Sequence, residues 1–153
     1  MKLFITRLKA AFGNPKTMEK QHVDNYTEDI IKSIDNDPFA VSEQNVMYAG
    51  TNELGGYYYF LTVIVGAFKI KTVKGAQLKI IYNNEELVLE SDMVELESDS
   101  SNVSNRYITK IDFILNESDL PKLDKSLVKN LILTSQKCKI VFSKIEVVEE
   151  IQP

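Results

Sequence analysis

A chain of 153 residues, 44% hydrophobic and 26% charged, has the size of one domain and can bury roughly two thirds of its unfolded surface without disulfide or metal staples. Those fractions exclude long disorder and a body made of membrane-spanning helices, and a net charge of −4 disfavours general nucleic-acid binding, which depends on neutralising phosphates. The single cysteine, Cys138, cannot close an internal disulfide and suits a reducing cytoplasm.

The first residues, Met1-Lys2-Leu3-Phe4-Ile5-Thr6-Arg7-Leu8-Lys9, place Arg7 and Lys9 inside what would be the apolar centre of a signal peptide, so a cytoplasmic location is expected. Residues 2 to 12 predict a helix with Phe4, Ile5, Leu8, Ala11 and Phe12 on its apolar side. Gly13-Asn14-Pro15 ends it and caps a second helix, from about Pro15 to Ile34, in which Val23, Tyr26, Ile30 and Ile34 recur at helical spacing. The two helices form an N-terminal arm over residues 1–38, ahead of a β-sandwich domain over 39–153. The arm is expected to cover apolar sheet surface. The alternative is a detachable amphipathic segment that meets a partner groove or a membrane surface through Phe4, Leu8 and Phe12.

Past Pro38 the hydrophobic pattern turns from helical to alternating, in short runs broken by turn residues. That predicts a mainly β fold, an antiparallel β-sandwich of about seven to nine strands with one short helix between late strands. Asn45 to Ala49 is the first expected strand, closed by Gly50-Thr51-Asn52. The run from Tyr57 to Ile70 is apolar on both parities and reads as the central strand, covered on both faces and bent at Gly66. Gln77 to Tyr82 and Glu86 to Glu90 make a hairpin about Asn83-Asn84, which tolerate positive φ. A short edge strand is expected over Met93 to Glu97, followed by a polar loop from Asp99 to Asn102. Tyr107, Thr109, Ile111, Phe113 and Leu115 alternate with Lys110 and Asp112, the pattern of a strand with one wet face. Ser118-Asp119-Leu120-Pro121 opens the short helix, and strands over Asn130 to Thr134 and Lys139 to Val148 finish the sheet about a Gln136-Lys137 turn.

The chemistry-bearing residues are sparse. His22, the only histidine, stands at the edge of the second helix's apolar stripe and is expected as a partly exposed helix residue, so a Ser-His-acid or Cys-His group, which needs a histidine with a nucleophile and an orienting partner, is not expected. Cys138 sits in an apolar strand context and is expected as a small buried hydrophobe. No glycine-rich phosphate cradle occurs, and no metal or cofactor is expected. Lys69, Lys71, Lys74 and Lys79 lie near Phe68 and Tyr82, the ingredients of a single-strand nucleic-acid stripe, but lysines on strands also commonly guard edges. The most asymmetric charge feature is acidic: Glu90, Asp92, Glu95, Glu97 and Asp99 crowd into ten residues with Glu85 and Glu86 just before. Compact size, acidic balance and this segment point to a non-enzymatic interaction module with a protein partner, of which an inhibitor or immunity-type protein docking a basic surface is one form. The competing expectation is a ligand- or carbohydrate-binding domain, hydrolytic in one version, that uses Tyr57 and Tyr59 with nearby carboxylates. Alternation sends Tyr58 to the opposite face.

Overall fold

A computed structural model describes residues 25–144. The expectations for the helix at 2–12 with Phe4, Leu8 and Phe12, for His22, and for the last strand beyond 144 lie outside the described residues.

Of the second expected helix, residues 15–24 lie outside the described residues, and Asn25–Ser33 forms α1. Glu28 in its first turn and Lys32 in its last suit the helix dipole and pair with each other at 3.8 Å. Tyr26, Ile30, Ile31 and Ile34 bring one apolar side to the sheet, where Ile30 and Ile31 are fully buried against Val41, Val46 and Val65. The Ser33 hydroxyl donates back to the Ile30 carbonyl at 2.8 Å, and Asp35-Asn36-Asp37-Pro38 carries the chain off the helix.

Eleven strands follow among the described residues: β1 (Ala40–Ser42), β2 (Asn45–Leu54), β3 (Tyr57–Gly66), β4 (Lys71–Thr72), β5 (Gln77–Tyr82), β6 (Glu85–Glu90), β7 (Leu96–Glu97), β8 (Asp99–Ser100), β9 (Tyr107–Leu115), β10 (Val128–Ser135) and β11 (Cys138–Lys144). Nine of them join one antiparallel sheet in the order β6-β5-β10-β11-β1-β2-β3-β9-β8, while β4 and β7 form a separate small pair. The expected two facing sheets of a sandwich are therefore replaced by a single sheet curled into a half-barrel. The physical reason is the connection through β1, which pairs with β2 on one side and β11 on the other and so joins what would have been separate layers. Curling lets one face pack against itself, with Met47, Phe60, Ile64, Leu78, Ile80, Ile111, Phe113, Leu131 and Phe142 almost wholly buried inside. Phe39 meets Phe60 edge to face at 5.6 Å, a favourable aromatic geometry.

The central strand is β3, paired along its length with β2 and β9. Phe60, Thr62 and Ile64 face the inner core, Val63 and Val65 the outer patch under α1. It ends at Gly66 rather than running to Ile70, because the chain there passes tightly over the Gln44 carbonyl and Asn45. The Asn45 carboxamide oxygen then accepts the Phe68 N–H at 2.9 Å and turns the chain away.

Other boundaries also moved. Gly50-Thr51-Asn52, expected as a turn, lies inside β2, which runs on to the true turn at Gly55-Gly56, where φ is 60° and 86°. The strand expected over Met93 to Glu97 shrinks to Leu96–Glu97, and Asp99–Ser100, expected as loop, pairs with Ile108 and Tyr107 as an edge strand. The β5–β6 hairpin and β9 form where the pattern placed them, with Asn83 and Asn84 at φ 45° and 68°. The short helix is a 3-10 turn over Glu117–Leu123, held at its start by the Asn116 N–H donating to the buried Asp119 carboxylate at 3.1 Å. Cys138 is exposed rather than buried, since it opens β11 at the hairpin end, beyond the reach of β1, which pairs only with Ser143 and Lys144.

Candidate functional site

The site is built at the seam where the margins of the curled sheet approach. β6 and β8 are its two edges. The chain between them, residues 91–98, closes the gap: Ser91 bridges Phe113 of β9, and the Asp92 N–H donates to the Asp112 carbonyl at 2.8 Å. Ser91 is the local fastener, its hydroxyl accepting the Ala76 N–H at 3.0 Å and donating to the Met93 carbonyl at 2.7 Å.

The five carboxylates singled out from the sequence follow this seam, and all are exposed. Glu90 ends β6 and accepts from the Gln77 carboxamide at 2.8 Å. Asp92 and Glu95 stand in the connecting loop, Glu97 lies in β7 opposite Lys71, and Asp99 lies in β8 opposite Ile108. None of the five is in an ion pair among the described residues, where the bridges are Lys32–Glu28, Lys79–Glu86 and Lys122–Asp119. Between them Met93 and Val94 stand 58% and 60% exposed, with Val73 at 65% near by in sequence to β4. No three His, Cys, Asp or Glu side chains among the described residues converge closely enough to hold a metal ion.

One end of the seam opens on a concavity of about 500 Å³ lined by Gly56, Tyr57, Tyr58, Tyr59, Asp92, Ile114, Leu115, Asn116 and Glu117. The register that produces it is direct: Tyr59 lies opposite Ile114 and Tyr58 opposite Leu115. Tyr58 packs toward the inner core while Tyr57 and Tyr59 take the outer side, as strand alternation requires. Tyr57 is 68% exposed and Ile114 49%. The Tyr58 hydroxyl is pushed above its ordinary value, first by burial and then by the negative charges of Glu117 and Glu53. Asp92 thus belongs both to the acidic seam and to the tyrosine-lined concavity. Ile114, Asn116 and Glu117 were missed from the sequence, since only the β3–β9 pairing sets the end of β9 beside the tyrosines.

The basic stripe is rearranged. Lys69 and Lys71 line a second, more open concavity of about 460 Å³ with Lys137, Ser135 and Cys138, and Lys69 Nζ lies 5.1 Å from the Tyr107 ring centre. Lys79 instead pairs with Glu86. Phe68 and Tyr82, the rings that a nucleic-acid stripe would need, are buried in the core. Among the described residues no helix is long and apolar enough to cross a membrane. No protein-family model, curated protein or solved structure matches the chain.

Proposed function

We propose that the chain is a non-catalytic binding module, of the inhibitor or immunity type, that works in the cytoplasm and docks a basic protein partner through the seam from Glu90 to Asp99. The carrying observation is that five exposed carboxylates on this continuous stretch have no ion-pair partner among the described residues, with exposed Met93 and Val94 between them. Apolar contacts surrounded by charge are a common interface anatomy, and the charge steers encounter with a surface of opposite sign. Acids on sheet margins also discourage edge-to-edge aggregation, and the two roles are compatible. The test is a calorimetric titration of the partner recovered by affinity capture, using wild type and the Glu95→Lys/Glu97→Lys double variant. Docking through the seam predicts a loss of at least about tenfold in affinity and an association rate that falls with salt. An unchanged affinity would remove this surface from consideration.

A second reading, ligand or carbohydrate binding at Tyr57 and Tyr59, is favoured by the tyrosine-lined concavity, whose volume lies in the range of small-molecule sites. Titration with a panel of neutral saccharides tests it, and saturable binding lost on Tyr57→Ala would support it.

A further inference from the structure

The concavity beside the seam has a chemical signature of its own. Three tyrosines and Ile114 supply apolar surface, Asp92 and Glu117 supply negative charge, and no lysine or arginine lines it. Glu53 adds to the negative field felt by Tyr58. Elsewhere in the molecule exposed or half-buried tyrosines carry cations on their faces: Lys69 Nζ is 5.1 Å from the centre of Tyr107 and Arg106 Cζ is 5.8 Å from that of Tyr26. Tyr57 and Tyr59 have no such cation among the described residues. Aromatic faces attract cations through the ring quadrupole, and a carboxylate at the rim supplies the matching charge. A guanidinium satisfies both at once, because it is planar enough to stack on a tyrosine while its N–H fork pairs with a carboxylate. An ammonium can lie over a ring, as Lys69 does at Tyr107, but it has no planar N–H fork to stack on one group while pairing with a carboxylate.

We propose that this concavity seats an arginine guanidinium presented by the basic partner, held between the tyrosine side chains of Tyr57 and Tyr59 and the carboxylates of Asp92 and Glu117. The inference rests on the docking reading above and names the anchor of that interface, since arginine buried against aromatic surface is a frequent hot spot.

The experiment is an NMR titration of the uniformly ¹⁵N-labelled full chain with N-acetyl-arginine amide, N-acetyl-lysine amide and glucose as separate probes. The arginine probe should shift the amides of Gly56 to Tyr59 and Ile114 to Glu117 saturably, and bind at least about threefold more tightly than the lysine probe. Glucose should leave those amides in place. An Asp92→Asn/Glu117→Gln variant and a Tyr57→Leu variant, each keeping the dispersed spectrum of the folded chain, should each weaken the arginine probe at least about threefold. The Glu95→Lys/Glu97→Lys variant should retain arginine-probe binding, because neither residue lines the concavity. Absence of shifts at these amides, an equal response to all three probes, or binding indifferent to Asp92, Glu117 and Tyr57 would overturn the proposal. Loss of partner docking in Glu95→Lys/Glu97→Lys with no probe binding in wild type would sink this anchor and leave the docking surface standing. The converse pattern would do the reverse.

Discussion

The Tyr48 hydroxyl is a polar group poorly served by its surroundings. It is buried and has no hydrogen-bond partner among the described residues. Its pKa is pushed up to about 12, chiefly by burial, with Arg106 pulling the other way. Between pH 10 and 12 an unfolded chain ionises this phenol while the folded chain keeps it neutral. The stability that neutrality contributes is therefore complete below pH 10 and is lost as pH rises toward 12. Tyr48→Phe is expected to raise stability near neutral pH by about 1 kcal/mol, because a buried hydroxyl without a partner costs more than it returns. It should also flatten the alkaline fall. Urea melts of both proteins near neutrality and between pH 10 and 12 check both effects, and an unchanged alkaline slope would assign that fall to another group. At this scale the sequence was partly readable. Alternation separated Tyr58 from Tyr57 and Tyr59, but the exposure of Cys138 depended on how far β1 reaches along β11.

The corner at the end of β3 shows how one element is ended. Gly66 was singled out in the sequence as a bend, and the reason is close approach: a methyl there would overlap the Gln44 carbonyl oxygen and reach 2.5 Å from the Asn45 carboxamide oxygen and 2.7 Å from its Cα. The contacts are mainly backbone, so little can yield. Asn45, itself buried, ties the same corner by donating to Ser42 at 3.2 Å and to the Glu43 carbonyl at 3.1 Å. Gly66→Ala is expected to cost about 3 kcal/mol or more, read as a lower midpoint in chemical denaturation with little change in slope. A loss below about 1 kcal/mol would show that the corner relaxes. Turns at the other end of the β2–β3 hairpin were harder to read, because Gly50-Thr51-Asn52 has turn composition yet is held extended by its ladder to Phe60, Leu61 and Tyr59. Local preference lost there to a long tertiary pairing.

Across the whole molecule, the sheet order sets β11 beside β1 and β5 beside β10, pairings between segments far apart in the chain. Such topologies fold slowly because loop closure precedes the contacts that stabilise it. Refolding of the full chain from denaturant is expected on the order of milliseconds to seconds, and stopped-flow tyrosine fluorescence measures it. Completion within microseconds would mean that the long-range pairings are not needed at the barrier.

Hydrophobic alternation and turn residues were enough to place β5, β6, β9 and β10 and to tell the wet face of β9 from its dry one, since both signals act between near neighbours along the chain. They were also enough to mark an acidic run and a tyrosine run as unusual. That these two runs meet at Asp92, that Glu117 and Ile114 join them, and that the layers form one curled sheet were set by folding. Those features depend on strand register and on which edges meet, and both are determined by the free energy of packing the entire core, which no local window of residues contains.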